Sequence, residues 1–231
     1  MLPMLSKDQI RQKINKIGFN LYPDILVTHD KCSEMLTGLY EAFPELFHRV
    51  NQLKPDVFAL SRSVEGKPNA EHTLIVTPKG CTLTFSSEEF QRDSTMKSVT
   101  NEVIKKIRNA FPVKKIPRVG RIVELVLEWP PDNDPHVWMR ENFTVFDDSD
   151  DVDELNFRML HRSAGMNINT IMTPVRHRQT SNWGLQIVCD INNSNMKTDI
   201  AADEVGSIID FSTLYFPDRT FEFLNRHVEQ D

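Results

Sequence analysis

The spacing of apolar residues changes several times along this chain of 231 residues, and each change marks an expected element. In residues 6–18, Ile10, Ile14 and Ile17 share one helical face, Ser6 and Gln9 have capping-box spacing, and Gly18 stands where a helix would stop. That pattern predicts a short amphipathic helix. A second helix is expected from Lys31, with Met35, Leu36, Leu39 and Phe43 as its apolar stripe; Pro44 then opens or kinks a helical continuation through Leu46, Phe47 and Val50. Residues 1–53 are therefore expected to be a helical N-terminal segment.

From Asp56 the period falls to two. "DVFALSRS", "HTLIVTP" and "CTLTFS" read as strands, and the turn "PKG" joins the last two into a hairpin over residues 72–86 with Cys81, Leu83 and Phe85 on one face. Met96, Val99, Val103, Ile107 and Phe111 then return to helical spacing, which predicts a helix over 94–111. Beyond it, "RIVELVLEW" at 121–129 is a strand, a short helix is expected over 137–142, and strands follow at 154–163, 166–177 and 183–192. Helices at 200–213 and 217–228 close the chain.

Strands grouped together with helices at their ends predict an α+β fold, mainly antiparallel sheet packed with helices. Residues 54–118 form a first β-β-β-α unit and residues 119–231 a second strand-rich unit with C-terminal helices, the whole making one compact domain. No residue-by-residue repeat accompanies that order, so a duplicated β-β-β-α unit is one hypothesis for it, which the strand order tests.

The last three strands allow a register to be set. With Ala164-Gly165 as a two-residue turn, Ser163 faces Met166, Phe157 faces Met172 and Met159 faces Thr170. If residues 179–182 are the next turn, Arg178 faces Trp183, Arg176 faces Leu185 and Met172 faces Cys189. Both hairpins then place their apolar residues on one face, as a one-residue slip would not. In this arrangement Arg178 makes a cation–π pair with Trp183, His177 points to the other face, and Arg158 and Asp190 flank Ile171.

Charge and composition narrow the chemistry. The 39% hydrophobic content suffices for a core, no apolar run reaches membrane length, and no secretory signal is read, so a soluble, cytoplasmic chain with no membrane partner is expected. Cys32, Cys81 and Cys189 form no metal-binding spacing and read as buried thiols. The net charge of −6 divides unevenly: residues 1–118 carry 18 Lys+Arg and 13 Asp+Glu, residues 119–231 carry 9 and 20. Either the basic half meets an acidic partner or the two halves attract each other within the fold.

No G-x-G-x-x-G, P-loop, H-E-x-x-H or G-x-S-x-G pattern occurs, so neither a cofactor nor a metal is expected and no residue is assigned to catalysis. The acidic run Asp147, Asp148, Asp150, Asp151, Asp153 and Glu154 lacks calcium-loop spacing and reads as a solvated loop, with docking on the basic connector as an alternative. Lys105, Lys106, Arg108, Lys114, Lys115 and Arg118 are the polyanion-binding candidates, although cations at a helix C-terminus are also favoured by its dipole. Arg176, His177, Arg178 and Arg158 are the candidates for a small anionic ligand.

The sequence is thus read as a non-catalytic recognition or regulatory protein for a protein partner or anionic ligand. The alternatives are a hydrolase or transferase acting on a phosphorylated substrate and, less favoured, nucleic-acid binding through 105–118. Exposed strand edges leave a homodimer open.

Overall fold

The computed structural model of the protein describes residues 6–62, 72–86, 91–131, 133–144, 155–176, 182–193, 199–200 and 202–226. In chain order its elements are β1 (Ile10–Tyr22), α1 (His29–Ala42), β2 (Arg49–Lys54), β3 (Val57–Ser61), β4 (His72–Thr77), β5 (Gly80–Phe85), α2 (Asp93–Ala110), β6 (Lys115–Glu128), α3 (Pro135–Phe143), β7 (Phe157–Ser163), β8 (Met166–Arg176), β9 (Trp183–Asn193), α4 (Ala202–Tyr215) and α5 (Asp218–Asn225). The nine strands form one sheet in the order β2-β3-β4-β5-β1-β6-β9-β8-β7. Every neighbouring pair is antiparallel. The α+β class is as expected.

The predicted N-terminal helical segment is replaced by a strand. The capping-box residues do meet, the Ser6 amide donating to Gln9 Oε1 at 2.7 Å, but they close only a single 3-10 turn over Lys7–Gln9. Beyond it, Ile17, Phe19 and Leu21 alternate into the core from β1, at the centre of the sheet. Asn15, fully buried, continues that face and hides the alternation from a hydrophobicity pattern. Gly18 is a strand residue, not a helix cap. The expected helical continuation after Pro44 is likewise a turn burying Leu46 and Phe47, followed by the edge strand β2.

The helices lie on one face of the sheet. Ile17 pairs with Arg121 and Phe19 with Val119, while Val123 pairs with Cys189 and Leu125 with Ile187, so these positions share a face across three strands. One core cluster packs α1, α2 and α4 against β1, β4 and β5; the other packs α3 and α5 against β6, β8 and β9. The duplicated β-β-β-α unit is not supported. Each half instead opens with a long strand, β1 or β6, that lies beside the last strand of the following meander, and the meanders have four strands and three.

The first hairpin has the expected register, Phe157 opposite Met172 and Ser163 opposite Met166. The second is displaced by two residues: Arg176, not Arg178, faces Trp183, and Met172 faces Ile187. A two-residue displacement preserves the apolar face, which is why alternation alone did not detect it. Ala164 and Gly165 have φ of 48° and 74°, as a type I′ turn requires at both central positions. Only Ala164 pays a steric cost there. Ala164→Asn is therefore expected to stabilise the fold by about 0.5–1 kcal/mol, because asparagine tolerates the left-handed region better. A urea midpoint that fails to rise would contradict this.

Candidate functional site

With the helices on one side, the even-numbered residues of β1 and β6 belong to the other, and they build a cleft at the middle of the sheet. Thr82, Gly18, Gly120 and Asn192 form one cross-strand row through β5, β1, β6 and β9; Gly80, Asn20 and Arg118 form the next. The cleft has a volume of about 290 Å³, and Lys79, Ile122 and Asp190 also line it. Three glycines lie in its lining, yet they do different work. A Cβ on Gly80 would stand 2.5 Å from the Phe19 carbonyl oxygen, and one on Gly120 would stand 2.8 Å from Asn192 Cβ, so both glycines permit close strand packing. A Cβ on Gly18 would meet nothing nearer than 3.9 Å. Gly18 thus leaves open volume instead of relieving a clash.

The polar lining is ordered by a ladder running outward across the same face. Arg118 Nη2 lies 3.4 Å from Asp190 Oδ2, Asn192 donates to Asp190 Oδ1 at 3.1 Å, Asn167 donates to Asn192 at 3.3 Å, and Arg162 donates to Asn167 at 3.1 Å. Asn20 and Thr82 add an amide and a hydroxyl to the lining. Lys79, from the β4–β5 turn, has no acidic partner among the described residues. At the same end of the strands, Lys115 Nζ sits 5.1 Å from the ring of the exposed Tyr22, a cation–π contact.

The sequence candidates are dispersed by the fold. Arg176 stacks over Trp183 with its guanidinium carbon 5.2 Å from the ring centroid, taking the place expected for Arg178. His177 and Arg178 lie outside the described residues, as does the acidic run 147–154. Arg158 does not flank Ile171 together with Asp190; Val188 is opposite Ile171, and Arg158 Nε donates to Asn169 at 2.8 Å. Within the basic segment, Lys105 and Lys106 pair with Glu102 on their own helix, and Arg108 holds Asp199 at 2.8 and 3.0 Å. Lys114 immediately precedes β6, Lys115 opens it and Arg118 follows three residues on; Asp199 also accepts from the Ile116 amide at 2.7 Å.

The charge asymmetry is used inside the molecule. Lys7–Asp218, Arg11–Glu128, Lys16–Glu124, Lys97–Asp210, Arg108–Asp199 and Arg118–Asp190 each join a cation from residues 1–118 to an acid from 119–231. Such exposed or half-buried pairs contribute little each, and together they join the basic half of the chain to the acidic half within the fold.

Arg121 is almost inaccessible; its Nε and Nη2 donate to Asn15 Oδ1 at 3.0 and 2.7 Å, and Nη1 donates to Ile209 O, Ser212 Oγ and Thr213 Oγ1 at 2.6–3.2 Å. Burial lowers the pKa of its guanidinium, and Asp93 at 3.5 Å opposes that shift. All three cysteines are free and buried; burial raises the thiol pKa of Cys32 and Cys189 to about 11 and that of Cys81 further, which keeps them protonated and poorly nucleophilic. Among the described residues, no group of three or more His, Cys, Asp or Glu is placed to hold a metal, and no helix is long and apolar enough to cross a membrane. Compared with protein-family models and with curated proteins, the sequence matches none.

Proposed function

We propose that the protein is a recognition module that holds an anionic ligand in the central cleft of its open sheet face. The observation that carries this reading is the unfilled volume above Gly18, bordered by Lys79 and Arg118 and by the side chains of Asn20 and Thr82. A ligand there would gain charge-assisted hydrogen bonds from groups already positioned by four strands. Arg118 has one acidic contact among the described residues, a long one to Asp190, so its other N–H groups can turn to a ligand. The reading places the anion at the middle of the sheet, away from the Arg176–Trp183 end.

The test uses inorganic tripolyphosphate and thermal unfolding. At about ten times its dissociation constant, the anion should raise the unfolding midpoint of the wild-type chain by about 3–5 °C. Gly18→Leu should leave the unliganded midpoint nearly unchanged, because its side chain enters open space, and should abolish the ligand-induced rise. No rise in the wild type, or an equal rise in the variant, would remove the cleft as the binding site.

A further inference from the structure

The two ends of the sheet are unequally protected. Among the described residues, the pairing of edge strand β2 with β3 shifts between Gln52 and Lys54, and Pro55 follows directly. These are devices that discourage another strand from adding. Edge strand β7 pairs with β8 in unbroken register along all seven residues, contains neither Pro nor Gly, and presents Leu160 at 67% exposure. Beside this edge, on the helix side of the sheet, runs a groove of about 210 Å³ between Met159 and His161 of β7 and Arg219 and Phe223 of α5, with Arg226 just past the end of that helix. Tyr215, whose hydroxyl is hydrogen-bonded to His161 Nε2, also lines it.

We propose that β7 and this groove take an extended, acidic segment of a partner protein as an additional antiparallel or parallel strand. Main-chain hydrogen bonds would supply affinity, and alternate side chains would be read on the two faces of the sheet. On the open face the incoming segment meets Arg158, Leu160 and Arg162 in sequence, which selects acidic, apolar and acidic residues at alternating positions. The two arginines are already oriented, since each donates through Nε to an asparagine of β8 and, among the described residues, makes no further hydrogen bond. On the helix face the intervening side chains enter the groove, where Arg219 and Arg226 add positive charge and Glu222, held by Arg219 at 3.0 Å, is the one acid of the lining. A second copy of the chain fits less well. In the antiparallel register that overlaps the whole strand about Leu160, Arg158 of one copy would face Arg162 of the other.

The proposal is tested on the full chain with a fluorescent synthetic peptide, blocked at both ends, whose core is Glu-Thr-Val-Thr-Glu. Saturable binding by anisotropy is expected, and replacing both peptide glutamates by serine should weaken it about tenfold or more, as should the protein variant Arg158→Glu with Arg162→Glu. The peptide substitution keeps the charge test valid even if the protein variant does not fold. Two N-methylated peptides, blocked at opposite sets of alternate amides, should behave differently: one loses binding and the other retains it. Absence of saturable binding, insensitivity to both charge changes, or equal binding of the two N-methylated peptides would overturn the proposal. So would a chain dimer that the peptide dissociates, because the edge would then belong to a second copy. Gly18→Leu should not affect the peptide, which separates this outcome from that of the central cleft.

Discussion

Arg121→Leu is expected to destabilise the protein by about 3–5 kcal/mol, the cost of removing one partner from a buried, charged hydrogen-bond network. The loss would leave Asn15 Oδ1 without the two N–H groups of Arg121 and would deprive Asp93 of its cation. Arg121 joins the two central strands to α4 and to the start of α2, so the damage falls at the junction of the two core clusters. Arg121→Lys should not rescue it. A single ammonium cannot reproduce a planar fork bonded in two directions. The check is urea unfolding with an unchanged slope and a lowered midpoint. Changing Asn15 and Arg121 together to apolar residues should cost less than the sum of the single changes, because each removes the other's orphaned partner. Additive losses would show that the pair does not act as a unit.

Trp129→Ala is expected to cost a similar amount, about 3–5 kcal/mol, through loss of buried aromatic surface and the cavity left behind. Trp129 is 1% exposed and packs with Trp138 at a ring separation of 5.2 Å; Trp138 in turn meets Phe143, which meets Phe157 and Phe223. Removing one end of that series loosens α3, α5 and β7 together. Trp129→Phe should be much milder. Its indole Nε1 is buried with no hydrogen-bond partner among the described residues, so the smaller ring also removes an unsatisfied donor. The near-UV circular dichroism and the unfolding midpoint of both variants check the argument: equal destabilisation by Ala and Phe would mean that the indole nitrogen matters and the packing does not.

The legibility of the fold followed from how local each signal was. The hairpin at β4–β5 was readable because Cys81, Leu83 and Phe85 alternate without interruption around a two-residue turn. Helix α2 was readable because its buried residues keep helical spacing from Met96 to Ile107 within a helix of eighteen residues. The helical reading of 6–18 failed at Asn15, a polar residue on the buried face whose partner, Arg121, is distant in sequence. The register of β8 against β9 was read two residues away because both pairings bury the same side chains, and only the observed pairing puts Arg176 over Trp183.

The candidate cleft was less legible still. Gly18 looked like a helix stop, Lys79 like a turn residue and Arg118 like part of a basic connector, and nothing local relates them to Asp190. Their proximity comes from the order β5-β1-β6-β9, in which four strands far apart in the chain become neighbours. Alternation, helical spacing and turn chemistry by themselves determined most elements, the α+β class and the first C-terminal hairpin, because each depends on residues close in sequence. Tertiary structure alone decided that residues 10–22 form a central strand, which cations pair with acids across the two halves, and which edge and face of the sheet no other described residue covers. Those outcomes depend on long-range pairing, where a buried asparagine is satisfied by a distant arginine and a glycine acquires its role from the strands on either side.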